Sequence, residues 1–333
     1  MPAELTHRFI ETNGIKMHIA EQGEGPLVIL CHGFPESWYS WRHQIAALSA
    51  AGYHVVAPDQ RGYGQTEAPE AIDQYTQFHL VGDIIGLMDA LGEETAVISG
   101  HDWGAPVAWN TALLRPDRIR AVIGLSVPFS SPSGKSAKAG AAGVNLGGPI
   151  KPTDGMKMAF GNNFFYMLYF QTPGVAEHEL RKDVRQTMRR TLYSASGNSP
   201  ARAPEARPNT IGFLDQMTDP ATLPAWLTEA DIDFYTAEFE RAGYRGGLNW
   251  YRNLDRNWEL MGPFAGLKVT QPAMFITGDR DVVIGMNPNF EAGLRASVPN
   301  LKELVMLPGV GHWTQQEAPE ATNEAMLRFL GSL

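Results

Sequence analysis

The sequence predicts an α/β protein, a mostly parallel, doubly wound sheet with an inserted helical cap domain. Three observations carry this. Short apolar runs alternate with helix-period segments up to about residue 130, the alternation then gives way to helical and aromatic segments, and it resumes from Ala273. From His7 to Cys31 the pattern reads strand, Asn13-Gly14 turn, strand, Gly-rich turn at Gly23-Glu24-Gly25-Pro26, and the continuous apolar strand Leu27 to Cys31. Trp38 to Ala50 has helical spacing, His54 to Ala57 reads as strand, and Phe78 to Leu91 as helix. Thr95 to Ser99 is a short buried strand ahead of helical Ala105 to Arg115, and Ile119 to Leu125 is another strand. Strands separated by helices pair in parallel through right-handed crossovers.

Ser130 to Pro149 is rich in Ser, Gly, Ala and Lys, a linker composition. Phe160 to about Trp258 reads as helices, broken by the Pro- and Ala-rich stretch Asn198 to Pro208. Strand Ala273 to Thr277, helix Phe290 to Ala296, strand Glu303 to Leu307 and an amphipathic helix from Pro319 to Leu330 close the chain. The expected division is a core of residues 1–130, a cap of 131–260 and the second part of the core from 261 to 333. The ligand cleft is expected between cap and sheet, at the carboxyl ends of the strands.

Composition narrows the function. With 333 residues, 44% of them hydrophobic, the chain can bury one large core with an insertion. Twenty-seven basic against thirty-six acidic residues give a net charge of −9, and no basic run is long enough to track a phosphate backbone, so nucleic acid is not an expected partner. The single cysteine, Cys31, lies in an apolar run and reads as an inert buried thiol of a protein in a reducing cytoplasm. Met1 to Thr6 carries neither a basic stretch nor an apolar core, and no apolar run reaches the ~20 residues of a membrane helix. Neither H-E-x-x-H, C-x-x-C nor a strand-following G-x-G-x-x-G occurs, so no metal and no dinucleotide cofactor is expected.

Chemistry concentrates where strands end. Gly100-His101-Asp102-Trp103-Gly104 is a strand-turn-helix corner of the G-x-S-x-G kind with aspartate in place of serine. A carboxylate of pKa about 3.9 is ionised at neutral pH without a base, which suits attack on a saturated carbon. Aspartate at that point also serves as a helix cap. Thr277-Gly278-Asp279-Arg280-Asp281 follows one late strand and Gly309-Val310-Gly311-His312-Trp313 the last, supplying an acid and a base. Taken singly, such residues read as a turn former and a solvated histidine. Together, the order Asp102, Asp281, His312 reproduces the nucleophile, acid, histidine order of the α/β-hydrolase fold, with Asp279 as rival for the acid. After the third strand, His32-Gly33-Phe34-Pro35 is the expected oxyanion loop, with the backbone N–H groups of Phe34 and Trp103 as donors and Pro35 fixing a tight turn, cis or trans. His32 reads as a buried support, the side chain of His101 should point away from that of Asp102, and Arg61-Gly62-Tyr63-Gly64 reads as turn chemistry.

The segments HGFPESWYSW (32–41), PDQRGYGQT (58–66), GHDWGAPVAW (100–109), FYMLYFQTPGVAE (165–177), NWYRN (249–253) and GHWTQ (311–315) resemble the soluble epoxide hydrolases of the α/β-hydrolase superfamily. The resemblance spans essentially the whole chain. Its core motifs are shared with haloalkane and fluoroacetate dehalogenases, and the two cap segments discriminate. It implies that Tyr166 and Tyr251 hydrogen-bond an epoxide oxygen while Asp102 attacks carbon, and that His312, oriented by Asp281, activates the water that hydrolyses the ester to a vicinal diol. Met167 stands where relatives often carry glutamine, which bears on substrate preference. Without the resemblance, aromatic residues at helical spacing read equally as core, and Tyr169 is as polar a neighbour as Tyr166. The implied partners are a small lipophilic epoxide and water, with no cofactor; the oligomeric state stays open, a homodimer included. Substrate contacts are expected from Phe34, Trp103, Met167, Tyr166 and Tyr251, and Phe164, Phe165 and Met158 either line an apolar pocket or pack the cap. A dehalogenase would use the same aspartate, but Phe34 removes the asparagine that could hold halide in the oxyanion loop. A serine esterase is disfavoured by Asp102, and a ligand receptor on this fold would need a broken triad or a closed pocket.

Overall fold

The computed structural model describes residues 4–132, 150–200 and 207–333. Eight strands form one sheet: β1 (Thr6–Thr12), β2 (Ile15–Gln22), β3 (Leu27–Cys31), β4 (His54–Pro58), β5 (Ala96–His101), β6 (Ile119–Leu125), β7 (Ala273–Gly278) and β8 (Leu301–Leu307). Their spatial order is β1-β2-β4-β3-β5-β6-β7-β8. The Asn13-Gly14 turn joins β1 to β2 antiparallel, β2 pairs antiparallel with β4, and every later pairing is parallel.

From β3 the chain first crosses to β4 on one side, then to β5 on the other, so β3 and β5 mark the point where the winding reverses. Ligands of open parallel sheets bind at such a point, beyond the carboxyl ends of the strands. Cys31 lies opposite Gly100, so the loops that leave β3 at His32 and β5 at Asp102 emerge side by side.

The central strands are buried on both faces, which is why they read as unbroken apolar runs. Alternate residues feed two layers. Ile29, Cys31, Val56, Ile98 and Val122 face the layer that holds Leu80, Ile84 and Trp109; Val28, Leu30, Val55, Val97 and Ile123 face the layer with Ile45, Leu48, Met326 and Phe329. The first layer lies under α2 (Gln77–Leu91) and α3 (Gly104–Leu114), the second under α1 (Arg42–Ala50) and the C-terminal α14 (Pro319–Leu330). Burial pushes the Cys31 thiol up, away from the reactive thiolate.

Between β6 and β7 the described residues form helices: α4 (Pro152–Phe160), α5 (Tyr166–Tyr169), α6 (Val175–Leu180), α7 (Val184–Ser194), α8 (Glu229–Ala242), α9 (Arg245–Arg252) and α10 (Leu254–Met261). This is the inserted cap. After it come α11 (Val282–Gly285), α12 (Phe290–Ser297) and α13 (Thr314–Glu317). The expected elements recur with shifted ends. Trp38 to Ala50 divides into a 3-10 turn, Trp38–Trp41, and α1, while α4 starts before the expected Phe160. It has proline in its first turn and an early acid, Asp154, but only Pro152 and Thr153 are buried, which gives little apolar period. Of the expected linker, residues 133–149 lie outside the described residues, as do 201–206 of the Pro- and Ala-rich stretch. No helix among the described residues is long and apolar enough to cross a membrane.

Arg61 after β4 is a bolt. Its buried guanidinium donates to both carboxylate oxygens of Asp83 on α2, at 2.6 and 2.7 Å, and to the carbonyl of Asn13 in the hairpin turn at 3.2 Å. Removing one partner of such a pair strands the other charge in the interior. Asp83→Ala is expected to cost about 3–5 kcal/mol, read as a lower midpoint in urea unfolding; an unchanged midpoint would mean that the pair contributes nothing.

Candidate active site

Asp102 leaves β5 at φ +50°, a left-handed conformation that a non-glycine residue adopts only when its surroundings impose it. Three glycines make the corner possible. A Cβ on Gly100 would lie 2.0 Å from the Gly104 carbonyl oxygen, one on Gly104 2.0 Å from that of Cys31, and one on Gly33 2.3 Å from Asp102 Oδ1. The corner is packed so closely against β3 that any side chain at these positions would lift it.

The carboxylate of Asp102 does not cap α3, which has no side-chain cap bond. Instead Oδ1 accepts the Phe34 N–H at 2.7 Å, and Oδ2 lies 3.3 Å from His312 Nε2. On the far side of that ring, Nδ1 stands 3.1 and 3.2 Å from the two oxygens of Asp281. Asp281 also accepts the Val283 N–H at 2.8 Å. Its rival Asp279 is exposed and accepts the Gly309 N–H at 2.8 Å, the ordinary work of a turn aspartate. The structure therefore brings Asp102, His312, Asp281 and Phe34 together and leaves Asp279 outside. The Phe34-Pro35 peptide is cis.

The charges interlock. Burial works against a charged His312, but the Asp281 carboxylate and the contact with Asp102 outweigh it and hold the imidazole well above its ordinary 6.5. Burial likewise opposes the Asp102 anion, and the hydrogen bond and charge of His312 override it, keeping the carboxyl below its ordinary value. Each of the two groups thus favours the charged form of the other.

Two phenols of the cap close over it. Tyr166 opens α5 and Tyr251 lies in the last turn of α9, their rings 6.0 Å apart. The Tyr251 ring sits edge-on between Trp103, 5.0 Å away, and Phe34, 5.6 Å away. Burial first, and the negative charge of Asp102 second, push both hydroxyls far above the usual phenol range, so both are protonated donors. The Trp103 indole beside it draws the Tyr251 hydroxyl slightly back toward the ordinary range. Tyr169 points elsewhere, donating to Glu179 Oε2 at 2.8 Å.

Met167 is buried next to Tyr166. Phe165 is half-buried, stacked on Phe160 at 4.0 Å and edge-on to Tyr166 at 5.2 Å, and Phe164 lies 5.5 Å from the Tyr169 ring. Met158 corrects the expectation of a pocket residue: it is 66% exposed on the outer side of α4. Phe170 and Phe213, which the sequence did not single out, take part in the aromatic lining. Phe170 stands 5.0 Å from Tyr251 and 5.8 Å from Phe34, and Phe213 stands 6.3 Å from Tyr166. Gln171 was also missed; its amide donates to the carbonyls of Met167 at 2.8 Å and Tyr251 at 3.0 Å, tying the two tyrosine segments together.

Beneath the triad lies a support that the sequence hid. Glu36 is fully buried and accepts the Gly33 N–H of the oxyanion loop at 2.9 Å, the side-chain amides of Gln315 and Gln316 at 3.0 Å each, and a bond from His101 Nδ1 at 2.8 Å. His101 Nε2 in turn lies 2.7 Å from the His312 carbonyl oxygen, to which Ser126 Oγ also donates at 2.8 Å. His101 thus points away from the Asp102 side chain, as expected, and holds the backbone of His312. Burial opposes ionisation of Glu36, yet the neighbouring His101 keeps its pKa below the ordinary value. His32 is a neutral support: its Nε2 accepts the Gln60 N–H at 3.0 Å, leaving Nδ1–H for the Gly33 carbonyl at 2.9 Å. Among the described residues no cluster of three or more His, Cys, Asp or Glu could hold a metal ion.

Glu36→Gln puts an NH2 group among four donors. It is expected to cost about 1–3 kcal/mol in denaturant unfolding at neutral pH. Because the folded pKa of Glu36 is depressed, the wild-type advantage is full above about 4.5 and fades as pH falls through that lowered value. A gap that stayed constant across the acid range would contradict this role.

Comparison with known proteins agrees with the geometry. The family profile for the alpha/beta hydrolase fold matches residues 26–142. Epoxide hydrolase A of Mycobacterium tuberculosis is 46% identical over 98% of both chains, and epoxide hydrolase 3 of Siraitia grosvenorii 42% identical over 98% of both. Among solved structures, epoxide hydrolase A of Mycobacterium thermoresistibile superposes with a TM-score of 0.89 at 47% identity over 98% of each chain. An epoxide hydrolase of Vigna radiata gives 0.85 at 42% identity over 99% of each.

Proposed function

The chain belongs to the epoxide hydrolases of the α/β-hydrolase fold, and from that premise we propose that it opens lipophilic epoxides to vicinal diols through an ester of Asp102. The observation that carries this is one carboxylate with two kinds of neighbour: on one side the Phe34 N–H and His312, on the other the buried phenols Tyr166 and Tyr251.

Oδ2 of Asp102 attacks a ring carbon, the C–O bond breaks, and the departing oxygen takes a proton from the phenol pair. Oδ1 stays on the Phe34 N–H and becomes the ester carbonyl oxygen. Alkylation removes the negative charge of Asp102, one of the two charges that hold His312 protonated, so the imidazolium gives up its proton, which makes good the one lost by the phenol pair, and the neutral imidazole becomes a usable base only once the ester exists. Oriented by Asp281, it takes a proton from water, which attacks the ester carbonyl while Phe34 and Trp103 N–H groups hold the oxyanion. The ester oxygen leaves with the proton that His312 took from water, the Asp102 acid so formed returns its proton to the imidazole, and the diol departs from a restored carboxylate.

The apolar lining by Phe34, Trp103, Phe170 and Met167 favours a lipophilic substrate, with residues 131–260 acting as the lid of a cytoplasmic enzyme. The two buried cap phenols near Asp102, donors suited to an epoxide oxygen, argue against halide release. The intact triad argues against a receptor without turnover.

His312→Gln is expected to form the ester and stall, giving one equivalent of alkylated enzyme by intact mass, while Asp102→Ala forms none; diol production by either variant at the wild-type rate would rule the scheme out. Single turnover in heavy-oxygen water is expected to leave the label in Asp102, and label found only in the diol would exclude the ester route. For pH, ring opening needs ionised Asp102, whose pKa is lowered, so its acid limb is expected below that of an ordinary aspartate. Ester hydrolysis needs neutral His312 and is expected to rise with pH; rapid-quench measurement of the two steps separates the limbs.

A further inference from the structure

One helix brings Tyr251 to the site, and its first turn contains two consecutive glycines, Gly246 and Gly247. Glycine inside a helix costs roughly 0.5–1 kcal/mol relative to alanine, so something else must require it. A Cβ on Gly246 would lie 2.1 Å from the Gly62 carbonyl oxygen and 2.6 Å from the Gly62 Cα; one on Gly62, itself at φ +85°, would lie 2.7 Å from the Gly246 Cα. The helix and the loop after β4 touch backbone to backbone. A Cβ on Gly247 would lie 2.8 Å from both the Phe34 ring and the Tyr63 hydroxyl.

Side chains fasten the same contact along the length of α9. Arg245 donates to the carbonyls of Ala68 at 3.2 Å and Glu70 at 3.5 Å, Trp250 Nε1–H donates to the carbonyl of Arg61 at 3.1 Å, and Asn253, just past the helix, donates to that of Ile72 at 2.6 Å. The Trp250 ring meets Tyr63 at 5.5 Å and Trp103 at 6.0 Å. Gly247 and Tyr251 are four residues apart and share a helix face. Any lift at the glycines therefore reaches the phenol.

We infer that Gly62, Gly246, Gly247 and Trp250 are positioning residues for ring opening: the loop Arg61-Gly62-Tyr63-Gly64 is a backbone seat that sets the height of the Tyr251 hydroxyl over Asp102. This rests on the role proposed above for Tyr251. Tyr166 comes from α5, away from this seat, so the seat governs one of the two donors.

The test uses the full-length enzyme and styrene oxide, with ester formation and ester hydrolysis measured separately by rapid quench. Gly246→Ala, which by helix propensity alone would be neutral or stabilising, is expected to slow ester formation up to roughly a hundredfold, the scale of a displacement near 1 Å, and to leave ester hydrolysis unchanged. In a Tyr251→Phe background the same substitution is expected to add no further loss. Equal slowing of both steps, no slowing, or full additivity with Tyr251→Phe would each overturn the inference. Should Gly246→Ala not fold, Trp250→Phe, which deletes the bond to Arg61 and keeps a ring, is read by the same two criteria. Tyr251→Phe measured alone separates the premises: if it leaves ester formation intact, the assigned role of Tyr251 fails and the seat has nothing to position.

Discussion

The structure is organised around the carboxylate of Asp102, held between a backbone N–H and an imidazole at a left-handed corner. A charged side chain on such a corner is costly twice over, in backbone strain and in lost hydration, and much of the surrounding sequence offsets those costs. Gly33, Gly100 and Gly104 let β3 and β5 approach closely enough for Phe34 N–H to reach Oδ1. The pairing of Cys31 with Gly100 aligns the two loops at the reversal of the sheet. Without that register the oxyanion donor and the nucleophile would leave the sheet at different heights.

A second layer of polar contacts keeps the base in place. Glu36 joins the oxyanion loop, through Gly33, to the base loop, through His101 and the carbonyl of His312. A fully buried carboxylate survives here because four polar groups converge on its two oxygens. The Asp281–His312–Asp102 row works by the same logic with a moving part. In the proposed mechanism, esterifying Asp102 takes away one of the groups that favour the charged imidazole.

Much of this was legible in the residues. The β5 corner, the late acid and the late histidine announce themselves because each follows a short apolar strand and combines glycine with one ionisable group. The cap tyrosines were legible only through family resemblance; periodicity cannot tell Tyr166, which faces the site, from Tyr169, which bonds Glu179. Glu36 was hidden because a glutamate after a proline turn looks like a solvated loop residue, and its four donors come from segments as far away as Gln315 and Gln316. Met158 misled for the complementary reason, since methionine in a half-polar helix carries no sign of which side it will face. Arg61-Gly62-Tyr63-Gly64 read as a turn and is one, but its close approach to α9 depends on a helix nearly two hundred residues later.

Epoxides are electrophiles, and thiolates are among the groups they alkylate most readily. The one sulfhydryl of this chain sits in β3, a single residue before the loop that serves the active centre, yet it is sealed from solvent and kept as the unreactive thiol. An epoxide entering the cleft is therefore kept from the one thiolate-forming group of the chain. Under the mechanism proposed above, burial of that sulfhydryl removes one route by which substrate would inactivate the protein irreversibly.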